Sequence, residues 1–311
     1  MHKNYPIVVF LMGLTSCGKT SLAMNMQDKI NIKIISVDSS LVYKNMNIGT
    51  SKPNREELIK YPHKLVNIRN TNENYSVANF YYDSLKEIKN AFLQGKIPLL
   101  VGGTMFYYKI LLNGLIEFPK NKNILLKKFV NLYKMNNNFL YNKLFKIDPI
   151  SAVKIGKNDV YRLARSLEIF YYTGNLRSNF FSKKKFPYQV IQFALIPKNK
   201  NILYNNIRNR LIRMLNLGFE EEVYTLFKKK ILKLNFQAMR CIGYSQMWQF
   251  INKKITYDEM FNKIIISTRR LAKNQMTWLK SWKNINFLYS NDNKNSLKTI
   301  INVLNNYTII N

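Results

Sequence analysis

Eight consecutive residues, Gly13-Leu14-Thr15-Ser16-Cys17-Gly18-Lys19-Thr20, have the types and spacing to hold phosphate. The glycines free the backbone to bend so that several N–H groups point inward, and a helix beginning at the second glycine adds its positive end. Lys19 supplies a point charge for the outer phosphates and Thr20 a hydroxyl for Mg²⁺, as in the pattern G-x-x-x-x-G-K-[ST]. The apolar run Ile7 to Met12 precedes the loop and Ser21-Leu22-Ala23-Met24 follows it, so strand, loop and helix come in the required order. The plainer alternative is a structural glycine turn. The loop by itself specifies neither the phosphate compound nor the reaction.

Two more residues stand where parallel α/β sheets place ligands, beyond the carboxyl ends of strands. Ile32 to Val37 reads as a strand ending on Asp38-Ser39-Ser40, which sets Asp38 beside the phosphate loop. Ile97 to Val101 reads as another, ending on Gly102-Gly103-Thr104. The two glycines permit close backbone approach to a ligand, and Thr104 presents a hydroxyl there. Both have plainer readings: Asp38 as the cap of a following helix, and the glycines as a turn into a helix near Met105. Three strand ends thus converge.

The elements that must hold them follow from periodicity. Residues 18–28 and 76–94 read as helices, the second on the spacing of Val77, Phe80, Tyr81, Leu85, Ile88 and Phe92. Residues 48–69, with Pro53 and Pro62, read as irregular. Alternating strands and helices over the first 115 residues argue for a parallel sheet. After Gly114 the character changes: residues 120–185 are helical, rich in Lys and Asn, without a convincing strand. One helix there spans Asp159 to Tyr172, capped by Asn158 or Asp159, with Arg162 and Arg165 on one face. Lys183, Lys184 and Lys185 read as solvated surface. Residues 189–196 alternate as a strand returning to the sheet. Residues 199–230 are helical, with Arg208, Arg210 and Arg213 close together and Gly218 between two segments. A long helix over 258–282 carries Arg269, Arg270 and Lys273 among Phe261, Trp278 and Trp282. Residues 284–311 read as a short strand and a terminal helix. The expected fold is α/β: a P-loop parallel-sheet core in 1–117 and 189–285, an inserted basic helical domain in 118–188, and a C-terminal tail from 286 to 311.

The chain has 311 residues, 47% of them hydrophobic, which is ample for a core. A net charge of +32 attracts polyanions, nucleic acid first. Lys outnumbers Arg heavily and Asn and Ile are abundant, a compositional bias that would inflate Lys without any binding role. Two cysteines far apart and two histidines leave no disulfide framework and no zinc site. A reducing cytoplasm fits. The N-terminal apolar run is short, lacks a cleavage site and leads straight into the phosphate loop, unlike a signal peptide. No stretch approaches the roughly 18 apolar residues that span a membrane.

Seven separated blocks resemble one family, the tRNA dimethylallyltransferases. They are the loop Gly13 to Thr20; Ser36 to Pro53, similar to "SVDSxxxYxxMxIGTxKP"; Pro62 to Ile68; Val101 to Thr104; Asn158-Asp159 with Arg162 and Arg165; Ile242-Gly243-Tyr244; and Thr268 to Lys273 with Gln275, Thr277 and Trp278. The resemblance covers roughly residues 5–285. It implies transfer of a dimethylallyl group from dimethylallyl diphosphate to N6 of adenosine 37, beside the tRNA anticodon, with release of diphosphate. It implies that the loop holds that diphosphate rather than a nucleotide. The helical insertion would grip the anticodon stem-loop, and the adenosine would leave its stack to be reached. By the same resemblance Asp38 accepts the N6 proton and Thr104 lies near the reacting groups. Lys19, Thr20 and Arg210 bind diphosphate, and Mg²⁺ neutralises the leaving group. Asp38, Ser39, Ser40, Leu41 and Thr104 would touch tRNA. So would Tyr161, Arg162, Leu163, Ala164 and Arg165, and Arg240, Cys241, Ile242, Gly243, Tyr244 and Ser245.

The chain departs from the family pattern in places. Tyr161 stands where Gln is frequent, trading an amide's paired donor and acceptor for a ring that can stack. Ser245 stands where Arg is common. An Arg near Leu125 and Leu126 is missing, with Lys127 and Lys128 beside the gap. There is no zinc finger, as in the bacterial form, and a monomer is expected. Two other classes share some features. A P-loop kinase would use clustered arginines such as Arg208, Arg210 and Arg213 to clamp the transferred phosphoryl. A non-catalytic RNA-binding protein would not need Lys19, Thr20, Asp38 and Thr104 intact.

Overall fold

Pro6 leads into β1 (Ile7–Gly13), whose residues Val8 to Met12 are wholly buried. Such an unbroken apolar run suits a strand covered on both faces. In this computed structural model, residues 6–116, 129–130, 138–180, 186–290 and 292–309 are described. Leu125, Leu126, Lys127, Lys128 and the Lys183-Lys184-Lys185 run lie outside them. The chain divides into two compact units, one of Met1–Ile110 with Pro187–Asn311 and one of Leu111–Phe186.

In the first unit β1 is joined by β2 (Ile32–Val37), β3 (His63–Lys64), β4 (Ile97–Gly102), β5 (Gln189–Ile196) and β6 (Asn286–Tyr289). They form one sheet in the order β3-β2-β4-β1-β5-β6, every pair parallel. Because all strands run one way, their carboxyl ends share one edge. β1 and β2 are consecutive in sequence yet separated by β4, which leaves a crevice at that edge. Helices α1 (Lys19–Gln27), α3 (Val77–Leu93) and α4 (Met105–Asn113) carry the chain between strands. Between β5 and β6 run α8 (Lys200–Asn216), α9 (Phe219–Lys228), α10 (Tyr244–Ile251) and α11 (Tyr257–Lys280).

Two sequence expectations need correction here. The stretch 48–69 is not wholly irregular: it holds α2 (Arg55–Lys60) and the edge strand β3. Asn54 and Glu57 form a reciprocal cap that starts α2, but no residue of this helix is buried, so it leaves no apolar periodicity. The short strand and terminal helix read over residues 284–311 are present, but they belong to the first unit rather than forming a separate tail. β6 pairs with β5 from Phe193↔Asn286 to Ile196↔Tyr289, and α12 (Asn293–Ile309) packs on α1. Only Leu288 of β6 is buried, as befits an edge strand.

The second unit is helical, with α5 (Phe139–Ile147), α6 (Pro149–Lys154) and α7 (Val160–Thr173), and no strand among its described residues. Its own core is Phe129, Leu140, Leu144, Ala152, Ile155, Leu163, Ala164 and Leu167. Asp159 caps α7 by accepting the Arg162 N–H at 3.2 Å. Asp148 does the same for α6 through Ser151 N–H at 3.0 Å and also accepts from Ser178 N–H at 3.0 Å. These bonds hold its carboxyl below the usual range despite burial. Among the described residues no helix is long and apolar enough to cross a membrane.

The sheet tolerates nothing larger than hydrogen where β2 and β4 end. A Cβ on Gly102 would lie 2.0 Å from the Val37 carbonyl oxygen, a backbone atom that cannot swing aside. Gly102→Ala should therefore lower stability by about 3 kcal/mol. Gly156→Ala, where a Cβ meets nothing within 4 Å, should change it little. Denaturant midpoints of the two variants against the parent check this.

Candidate active site

The phosphate loop forms at the end of β1 because Gly13 lets the chain leave the sheet. Its φ is 148°, and a Cβ there would sit 2.3 Å from the Leu195 carbonyl oxygen on the neighbouring strand. Gly18, with φ 81°, precedes the first turn of α1. Leu14 and Cys17 are buried beneath the loop, so they shape it rather than face a ligand. Burial raises the Cys17 thiol and keeps it protonated. Lys19 Nζ donates to the Leu14 carbonyl at 2.6 Å. Burial pushes this ammonium down to about 8, against the pull of Cys17 and Asp38, and nearby Arg210 lowers it further.

Arg210, on α8, ties that loop to the stretch after β2. Its guanidinium donates to Thr15 Oγ1 at 2.8 Å, to Ser51 Oγ at 2.8 Å and to the Thr50 carbonyl at 3.1 Å. Of the two arginines near it in sequence, Arg208 instead packs its guanidinium over Phe261 at 5.3 Å, while Arg213 lines the same cavity as Arg210. Asp38 Oδ1 accepts from Ser40 N–H at 2.8 Å, Ser40 Oγ–H at 2.5 Å and Leu41 N–H at 3.4 Å. Its Oδ2 accepts no hydrogen bond from the described residues. Thr104 Oγ1 accepts the Ser39 N–H at 3.3 Å, and Thr104 N–H reaches the Val37 carbonyl at 3.3 Å. The ends of β2 and β4 are thus stitched together.

One cavity of 1710 Å³ gathers these groups. Thr15, Ser16, Gly18, Lys19 and Thr20 line it, as do Asp38, Ser39, Ser40, Leu41, Thr104, Arg210, Arg240, Cys241 and Ile242. Gly13, Leu14, Cys17, Gly243, Tyr244 and Ser245 are absent from its wall. Tyr161, Arg162, Leu163, Ala164 and Arg165 belong to the second unit. There Leu163 and Ala164 are wholly buried in the core, so their side chains are not available to a partner. Tyr161 is 64% exposed, Arg162 pairs with Asp159 at 3.1 Å, and Arg165 pairs with the buried Glu168.

A family model described as IPP transferase matches residues 41–282, more than half of the chain. This chain belongs to the tRNA dimethylallyltransferase family. It is 48% identical to the tRNA dimethylallyltransferase of Buchnera aphidicola subsp. Acyrthosiphon pisum (strain APS), over 97% of each chain. It is 43% identical to that of Blochmanniella floridana, over 99% of this chain and 98% of the relative. The solved full-length tRNA isopentenylpyrophosphate transferase from Bacillus halodurans superposes with a TM-score of 0.71 at 28% identity, covering 99% of both chains. A eukaryotic dimethylallyltransferase acting on tRNA gives 0.82 at 25% identity, covering 97% of this chain and 79% of that one. The activity that goes with membership of this dimethylallyltransferase family is transfer of a dimethylallyl group to tRNA, at adenosine 37. The kinase and non-catalytic readings fall away.

Two residues central to this transferase's site have no place among those singled out from the sequence as site residues. Glu222, in the acidic first turn of α9, takes Asn47 N–H at 2.9 Å, Ile48 N–H at 2.8 Å, Gly49 N–H at 3.1 Å and Tyr244 O–H at 2.6 Å. One carboxylate thereby fixes the stretch that leads to Thr50 and Ser51, and so fixes Arg210. Tyr244, outside the cavity wall, acts through this bond; burial and Glu222 raise its phenol well above the ordinary range. Lys52 donates to the Tyr43 carbonyl at 2.7 Å, Asn67 Oδ1 at 2.7 Å and Asn47 Oδ1 at 3.1 Å, and burial pushes it down to about 8. The second residue is Gln275, on α11. The signal for Glu222 is weak, since Glu220, Glu221 and Glu222 are equivalent in the sequence and only packing turns one inward.

Glu222→Gln should cost about 2 kcal/mol in stability, because an amide cannot accept from all four donors. Tyr244→Phe, which removes one donor, should cost about 1 kcal/mol. Urea midpoints of the pair check the ranking. The second expectation concerns Lys19. Its ammonium loses its charge as pH rises through about 8, and a diphosphate held by the loop would select the charged form. Affinity for diphosphate should therefore fall between about pH 7.5 and about pH 9.5, on the order of tenfold per unit at the steepest. Lys19→Arg should remove that slope, as read by titration calorimetry. A slope that survives assigns the titration to Lys52.

Proposed function

We propose that the cavity at the carboxyl edge of the sheet holds both substrates of the transfer. Its volume exceeds the about 300–1,000 Å³ of an ordinary small-molecule site, which suits a prenyl diphosphate together with an adenine swung out of its stack. The diphosphate lies on the loop, against Lys19, Thr20 and the helix N-terminus, with Arg210 alongside. The adenine comes to Asp38 and Thr104. Arg240, Cys241 and Ile242 on the cavity wall, with Ser39, Ser40 and Leu41, meet the nucleotides around it. In the second unit Tyr161, Arg162 and Arg165 take the anticodon stem-loop.

The observation that carries this reading is the condition of Asp38. Three donors fix Oδ1, while Oδ2 is left without a partner among the described residues, in the cavity that Lys19 and Arg210 also line. N6 of adenine attacks the allylic carbon, a C–N bond forms and the C–O bond to diphosphate breaks. The nitrogen becomes strongly acidic as its lone pair is committed, and its proton passes to Asp38. Lys19 and Arg210 stabilise the charge gathering on the departing diphosphate. Thr104, whose hydroxyl accepts the Ser39 N–H, stands near the reacting groups on the same cavity wall as Asp38. Burial raises both thiols, that of Cys241 up to about 12, so neither stands as a thiolate at neutral pH.

Mg²⁺ also fits. Among the described residues no three His, Cys, Asp or Glu side chains cluster as a metal cage. Mg²⁺ asks for little more than one or two protein oxygens plus substrate phosphates. The Thr20 hydroxyl lines the cavity and makes no hydrogen bond to the described residues, so it is the residue that would hold the ion. Bound there, Mg²⁺ would supply further neutralisation of diphosphate charge. The protein acts as a monomer in the cytoplasm on this reading.

Asp38→Asn keeps the shape and one oxygen but cannot take the proton. Single-turnover transfer, followed by mass spectrometry of adenosine 37, should fall about 10²–10⁴-fold with tRNA affinity changed only a few-fold. Near-parental transfer would remove Asp38 as the base, and a parallel collapse of tRNA binding would make it a recognition residue.

A further inference from the structure

Gln275 is nearly buried, at 6% exposure, on α11. Its amide bridges two of the loops that meet at the cavity. Oε1 accepts the Thr15 N–H at 2.8 Å, from the phosphate loop. Nε2 donates to the Gly103 carbonyl at 3.0 Å, at the end of β4. Both loops have further ties outward. Thr15 Oγ1 receives Arg210, and Thr104, next to Gly103, receives the Ser39 N–H beside Asp38. A continuous path therefore runs from the diphosphate side, Arg210 and Thr15, through Gln275, to the base side, Gly103, Thr104 and Ser39.

The bridge has a dedicated space. A Cβ on Gly103 would stand 2.4 Å from Gln275 Nε2, so only glycine at 103 admits the amide in this position. The bridge also has an effect on the loop. Thr15 N–H, in a segment whose amides would otherwise face phosphate, is spent on Gln275. The amide hence sets where the loop stands rather than adding a donor to it.

We propose that Gln275 is a positioning residue for the transfer step. Its two hydrogen bonds fix the separation between the phosphate loop and the Thr104 loop, and so between the leaving diphosphate and the attacking N6. This rests on assigning both substrates to the one cavity. Reacting atoms must be held about 3–3.5 Å apart, and a misplacement of about 1 Å can cost on the order of 10²-fold in rate. Loss of the bridge is therefore expected in the chemical step and not in the binding of either substrate alone.

Gln275→Met keeps the length and the apolar stem and removes both bonds. Its single-turnover transfer to tRNA should fall about 30- to 100-fold, with Kd for inorganic diphosphate and for tRNA within about threefold of the parent. Gly103→Ala, which displaces the amide from the other side, should reproduce the fall, and the double variant should fall no further than either alone. Parental transfer by Gln275→Met overturns the proposal, as do single effects that multiply in the double variant. A loss of diphosphate affinity matching the loss of rate overturns it too, by making Gln275 part of the phosphate site. A Gln275→Met chain that does not fold overturns it by showing that the amide holds the fold. If the parent itself binds no diphosphate, the cavity assignment fails and takes this proposal with it, whereas failure in the variants alone leaves the cavity assignment standing.

Discussion

Desolvated positive charge at one edge of a parallel sheet is the constraint on which the rest of this structure turns. Lys19, Lys52 and Arg210 all lie partly buried there, and burial lowers the proton affinity of each. Cations out of water need acceptors, and the protein supplies them from backbone and neutral oxygens: Leu14, Tyr43 and Thr50 carbonyls, Thr15 and Ser51 hydroxyls, Asn47 and Asn67 amides. Neutral acceptors orient a cation without cancelling its charge. The field therefore remains available to an anion, such as the diphosphate proposed to depart there.

Carboxylates are correspondingly few and are given separate tasks. Glu222 is saturated by four donors and serves only to hold a stretch of chain in place. Asp38 is half saturated, one oxygen anchored and the other left to the cavity. Two similar side chains thus differ in role because of how many donors surround each. The same division runs through the backbone of the phosphate loop, where Thr15 N–H is used internally.

Much of the fold was legible in the residues, because its central strands β1, β2 and β4 are almost wholly buried and read as near-continuous apolar runs. β2 and β5 have the limits that the pattern predicts, and the helices over 76–94 and 258–282 differ by a residue or two at their ends. What escaped was whatever lacks a buried face: α2, with no buried residue, and β3, with two residues in all. In the site, the loop, Asp38 and Thr104 stand at strand ends, where topology alone predicts convergence. Glu222 and Gln275 come from helices far along the chain, and nothing local reveals which side of a helix will turn toward which loop. Block resemblance also blurs surface and core. Within Tyr161 to Arg165, Leu163 and Ala164 share the buried face of α7 with Leu167, a helical spacing that could have separated them from their exposed neighbours.

The order of the strands also bears on how the chain is made. β1 pairs with β4 on one side and β5 on the other, and roughly 180 residues separate the starts of β1 and β5; at about 5–20 residues per second of synthesis, that is a wait of roughly 10–40 s. During that interval the most apolar strand of the protein has one flank uncovered. The helical unit, whose core is drawn from residues 129–167, emerges within the same interval and can condense on its own contacts. Its place in the sequence therefore prolongs the time during synthesis for which β1 lacks its β5 neighbour.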